Sequence, residues 1–87
     1  MFTVVMDTRA RKDVEKLDRW VWEKILREEV YALAFDFMKG KRLDGVFDGC
    51  RSKRIRQYRI LYRVLFDEQI VEVLGIDHRK DVYRREG

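Results

Sequence analysis

Residues 51–64, RSKRIRQYRILYRV, decide how this chain folds. Six of the first thirteen positions are basic (Arg51, Lys53, Arg54, Arg56, Arg59 and Arg63), and none is acidic. From Tyr58 the pattern has a period of two. Tyr58, Ile60, Tyr62, Val64 and Phe66 fall on one face, and Arg59, Leu61, Arg63 and Leu65 on the other. The charges therefore ride on sheet and not on a loose tail. Strands are expected at about 51–56, 58–66 and 69–76, with a tight hairpin near Gln57 and a second turn at Asp67–Glu68.

Upstream, FTVVM (2–6) reads as a short β-branched strand closed by Asp7, a helix N-cap. Ala10, Val14 and Leu17 then line one helical face, and Asp18 marks a break and a second cap. RWVWEKILREEVYALAFDFMKG (19–40) reads as a helix of about five turns. Trp22, Leu26, Val30, Leu33 and Phe37 form its stripe, Val21, Ile25, Ala32 and Phe35 widen it, and Gly40 stops it. GKRLDGVFDGC (40–50) reads as a connector, and the polar tail DHRKDVYRREG is expected to form a short helical turn. The order is strand, helix, helix, three antiparallel strands, tail: an α+β fold. Its helical hairpin packs on one sheet face, and the other face is partly open and carries Arg59 and Arg63.

The 87 residues suit one domain, 1–87, with a modest core. Residues 1–50 hold ten Lys/Arg and ten Asp/Glu; residues 51–87 hold ten and six, so the net charge of +4 lies in the C-terminal part. One cysteine and one histidine supply neither a disulfide nor an ordinary zinc site. Neither a secretory signal nor a membrane span is read, and the expected location is cytoplasmic. An arginine-lined open sheet is a cradle for a polyanion.

The run RIRQYRILYRV, a turn, and then IVEVLGIDHRKDVY resembles the RelE/ParE superfamily of bacterial and archaeal toxins. The match is carried by Arg54, Tyr58, Arg59, Tyr62, His78, Arg79, Lys80, Val82 and Tyr83. The resemblance implies the RelE-like fold and, on the RelE side, a ribosome-dependent endoribonuclease that cuts mRNA in the ribosomal A site and is held inactive by a cognate antitoxin. Arg59 corresponds to the strand arginine of such enzymes, Arg79 to the arginine after the last strand, and Tyr83 to the C-terminal tyrosine. Arg54 stands where they place a lysine or arginine. Ser52 stands where some members have a further lysine, and the stretch from Arg79 to Tyr83 is two residues shorter than in well-known members. Alternatives from the same superfamily are a ParE-like toxin poisoning DNA gyrase and a catalytically degenerate RNA-binding member.

Under the RelE reading no metal and no cofactor is expected. The RNA's own 2′-OH attacks, and the phosphorane charge falls to arginines, whose planar guanidinium grips two oxygens at once. Arg59 and Arg79 take that role. His78 has the intrinsic pKa for proton transfer, and Tyr83 can serve as base where neighbouring cations lower its pKa. Arg51, Lys53, Arg56, Arg63 and Lys80 are the expected RNA-binding residues, although strand alternation turns Lys53 away from Arg54. About four phosphate contacts would give log affinity a salt slope of roughly −3.

Overall fold

The computed structural model describes residues 1–78, so Arg79, Lys80, Val82 and Tyr83 lie outside the described residues. The chain forms strand β1 (Thr3–Met6), helix α1 (Thr8–Lys16), a long helical run (19–36), and strands β2 (Lys41–Arg42), β3 (Arg51–Ile55), β4 (Tyr58–Leu65) and β5 (Ile70–His78). The five strands make one sheet in the order β1-β5-β4-β3-β2. β1 runs parallel to β5, and the remaining neighbours are antiparallel.

The helical hairpin covers one sheet face. Ala10, Leu26, Val30 and Leu33 pack with Ile60, Tyr62, Val71, Val73 and Ile76, all essentially without solvent exposure. Asp7 caps α1 as expected, accepting the Ala10 N–H at 3.0 Å. The stripe of the long helix is also as expected, except that Phe35 is 74% exposed. At about 100° per residue it lies roughly 200° around the helix from buried Leu33. Residues Trp22–Leu26 take a π turn, and a single 3₁₀ turn, Phe37–Lys39, leads to Gly40.

The connector is more structured than its glycines suggest. Lys41 and Arg42 pair with Ser52 and Arg51, which makes a fifth strand, and Gly45–Phe47 forms a 3₁₀ turn. A two-residue strand is too short to show a period. β5 also runs two residues further than expected, so Asp77 and His78 belong to the sheet and not to the tail.

Two close approaches lock helices to sheet. A Cβ on Gly40 would lie 2.1 Å from the Tyr62 hydroxyl oxygen and 3.0 Å from the Ser52 carbonyl oxygen, so only glycine lets the chain pass here. The second is a bulge: Leu61 faces Gly75 and Tyr62 faces Val73, which leaves Leu74 as the extra residue on β5. Next to it, the buried Asp13 of α1 accepts the Ile76 N–H through Oδ2 at 3.0 Å.

Candidate nucleic-acid interface

Strand alternation divides the basic residues of 51–63 between the two sides of the sheet. Arg51, Lys53 and Ile55 pair with Tyr62, Ile60 and Tyr58, and so share the helix side. Arg51 Nη1 donates to the Gly40 carbonyl at 2.9 Å and to the Met38 carbonyl at 3.3 Å. Tyr62 Oη donates to the Phe37 carbonyl at 2.6 Å. Together they satisfy carbonyls that a helix end leaves without intrahelical donors, and the guanidinium suits the negative end of the helix dipole. Burial pushes the Tyr62 phenol above its ordinary range, partly offset by a hydrogen bond from the Gly40 backbone and by the Arg51 charge.

Lys53 is committed on the same side. Its Nζ lies 3.1 Å from both Glu29 and Asp36 of the long helix, and only 16% of its side chain is exposed. Arg51 and Lys53 therefore do not join the open face with the other arginines. They hold the end of the long helix against β3.

Ser52, Arg54, Arg59, Leu61 and Arg63 point to the other side. Arg54 and Arg59 are directly opposite each other across the β3–β4 ladder. Like charges so placed destabilise a sheet. Arg59 Nη1 donates to the buried Ser52 Oγ at 3.4 Å, and Asp77 is its β5 neighbour. Ser52, short enough to fit beneath the guanidinium, helps to orient it. Arg54 Nε donates to the Arg56 carbonyl at 3.2 Å across the two-residue turn, where exposed Arg56 has φ +55°.

Carboxylates interleave with these cations. Arg63 Nε lies 2.6 Å from Glu72 Oε1 on β5, an interaction that raises the guanidinium's already high pKa. The open face is consequently less basic than its two β3–β4 strands taken alone. His78 pairs with Tyr58 and so shares the helix side, its ring 6.1 Å from the Tyr58 ring in an edge-on contact. It does not face Arg54 and Arg59. Among the described residues, no group of three or more His, Cys, Asp or Glu is placed to hold a metal, and no helix is long and apolar enough to cross a membrane.

The open face is also partly roofed. Leu61 stands outside the helix-side core yet is only 6% exposed. It floors a cleft with Leu74, walled by Val46 and Phe47 of the 3₁₀ turn. Cys50 also lines this cleft, and burial pushes its thiol pKa up while Arg63 pulls it partly back. Periodicity alone did not reveal this roof. Its one sequence signal is an apolar pair, Val46–Phe47, set between glycines.

In sequence and in fold the chain is similar to known proteins. A family model for the ParE toxin of the type II toxin–antitoxin system parDE matches residues 4–83. Toxin RelG of Mycobacterium tuberculosis is 34% identical over 85 residues, covering 97% of this chain and 98% of that protein. The chain belongs to the RelE/ParE toxin superfamily. Its fold superposes on a chain of the RelBE2 toxin–antitoxin complex of Mycobacterium tuberculosis with a TM-score of 0.70 at 34% identity, covering 92% of this chain and 93% of that one. The isolated E. coli RelE toxin gives 0.71 at 26% identity, covering 99% and 95%. As a RelE/ParE toxin, the chain carries the first part of its motif, Arg54, Tyr58, Arg59 and Tyr62, on the hairpin of β3 and β4, with Arg54 on one strand and Arg59 on the other.

Proposed function

We propose that this toxin is a ribosome-dependent endoribonuclease of the RelE type, acting in the cytoplasm as a single domain, 1–87. The observation that carries the reading is the Arg54–Arg59 pair on the sheet face opposite the helical hairpin. Opposing two guanidinium groups across a ladder costs a sheet stability, whereas a scissile phosphate between them would gain two bidentate donors. In the transition state the phosphorane carries more negative charge than the ground-state diester, so the same arginines bind it more tightly, which is the condition for catalysis. Arg59, oriented by Ser52, is the principal stabiliser; Arg79 and Tyr83, by resemblance, complete the site with a second guanidinium and a proton-transfer group. The 2′-OH supplies the nucleophile and the 5′-oxygen leaves, without metal or cofactor.

Arg54, Arg56, Arg59 and Arg63 are assigned to RNA phosphates, with Lys80 by resemblance. His78, on the Tyr58 side, is assigned a role in packing the end of β5. The partner that silences the toxin is a cognate antitoxin, supported by the relatives whose structures are toxin–antitoxin complexes.

Primer extension on an mRNA in purified translating ribosomes tests the reading. Cleavage at A-site codons is expected with the wild type and is expected to vanish in Arg79→Ala. The match to a ParE family model favours gyrase as the second target. Wild-type protein that leaves mRNA whole and inhibits DNA supercoiling by gyrase would replace the first reading with the second.

A further inference from the structure

The charge balance of residues 1–50, ten Lys/Arg against ten Asp/Glu, does not survive the folding of α1. Asp7 is spent on the cap, where it accepts the Ala10 N–H. Asp13 is buried and accepts the Ile76 N–H. The cations of the same helix, Arg9, Arg11, Lys12 and Lys16, are all exposed, and Glu15 is the one exposed carboxylate between Thr8 and Lys16. Among the described residues, no ion pair engages these four cations.

Three of them form a stripe. At about 100° per residue, Arg9, Lys12 and Lys16 fall within roughly 60° of arc, and Glu15 lies roughly 90° from its middle, on the side of Arg11. The stripe is roughly 10 Å long. Arg9 lines the same cleft as Leu61 of the open sheet face, so the stripe starts at the border of the arginine-bearing surface and runs on from it. The fold gains nothing from the arrangement. The first turn of α1 has no acidic residue and carries Arg9 where the helix dipole favours a carboxylate. Like charges three and four residues apart also repel. On the long helix, by contrast, Glu23, Glu28 and Glu29 are interspersed with Lys24 and Arg27.

We infer that the Arg9–Lys12–Lys16 stripe docks the toxin on double-helical RNA of the ribosome, beside the single-stranded message on the sheet face. This rests on the ribosome-dependent reading and adds to it the surface that seats the protein. Single strands are gripped by stacking their bases on aromatic rings, and the exposed residues of α1 include no apolar or aromatic side chain. The same lack argues against a protein partner, because protein interfaces centre on apolar anchors and are depleted in lysine. Double-helical RNA is recognised through its shape and its phosphates. Long cationic side chains on a rigid helix supply what that requires.

The test uses the full chain and two charge-matched triple variants. One is Arg9→Gln/Lys12→Gln/Lys16→Gln; the control, Lys24→Gln/Arg27→Gln/Lys39→Gln, removes three exposed cations elsewhere. Affinity is measured for purified ribosomes, for an RNA duplex of about 16 base pairs and for poly-glutamate, across a salt series, alongside mRNA cleavage on ribosomes. The stripe variant is expected to lose at least about tenfold in affinity for ribosomes and duplex, with a salt slope shallower by roughly 2–3, while the control stays within about twofold of wild type. Equal losses in both variants, or an equal loss on poly-glutamate, reduce the effect to net charge and overturn the docking surface. A loss on the duplex with ribosome affinity kept overturns its ribosomal assignment. Cleavage and ribosome affinity unchanged in the stripe variant overturn the docking surface and leave the ribonuclease reading intact. Stripe-dependent ribosome binding by a wild type that cleaves no mRNA keeps the surface and overturns the ribonuclease. Neither binding nor cleavage overturns both.

Discussion

The two sides of the β3–β4 hairpin carry the same kind of residue and put it to opposite uses. On the helix side, Arg51 and Lys53 are matched, by the carbonyls at the end of the long helix and by Glu29 and Asp36. On the open side, Arg54 and Arg59 face one another. One set fastens the fold, and the other is arranged at some cost to it. A run of like charge in sequence is thus not a patch in space until the pleat has sorted it.

The largest expected effect lies on the open side. Arg59→Ala should reduce cleavage of ribosome-bound mRNA by ~10²–10³-fold, the loss that follows removal of one preorganised donor to a transition-state oxyanion, while the unfolding midpoint stays nearly constant. An equal loss of stability would make Arg59 another fastening residue and dissolve the contrast between the faces.

Lys53→Met is the converse experiment. It strands the Asp36 carboxylate, whose Oδ1 is buried and has no hydrogen-bond partner among the described residues. A loss of about 2 kcal/mol is expected in urea unfolding, with cleavage per folded molecule unchanged. Lost cleavage at full stability would move Lys53 into the site.

Arg54→Gln sharpens the comparison at a smaller scale. Relief of the cross-strand repulsion should stabilise the protein by about 0.5 kcal/mol, while the salt slope of RNA binding becomes shallower by ~0.7. A stability gain without a change in slope would show that Arg54 touches no phosphate.

The smallest effect at neutral pH belongs to Tyr62. Its phenol ionises at about its usual 10.0 in the unfolded chain and higher in the fold, so the unfolded state releases its proton first. Stability should be level below pH 10 and fall as pH rises through it. The difference between wild type and Tyr62→Phe in alkaline unfolding isolates this contribution, and parallel curves would refute it.

Much of the fold was legible because its signals are periodic. Ala10 and Val14 on α1 with Leu17 at its end, the stripe of the long helix apart from Phe35, and the alternation of β4 from Tyr58 to Leu65 found their expected faces. The register was not legible. Nothing in FTVVM names β5 as its neighbour, and parallel pairing of the first strand with the last described strand is a property of the whole packing. Asp13 was missed because a carboxylate reads as an outward residue, although it falls in the Ala10, Val14, Leu17 stripe; its partner is a backbone N–H freed for it by tertiary structure. For the site, Arg54 and Arg59 could be placed from alternation and resemblance together. Ser52, which reads as a missing lysine, instead lies beneath Arg59. The cleft depends on a bulge and a glycine-flanked turn, which have no period to read.

The sheet order carries a consequence for synthesis. β1 is made first, yet among the described residues it pairs with β5 alone, whose last residue, His78, comes 72 positions after Met6. A nascent chain can form its helical hairpin early, but β1 has no sheet to join until β5 has cleared the ribosome. The arginine face is assembled on that same sheet. The sheet that bears the arginine face is therefore completed at its β1 edge only after β5 has emerged.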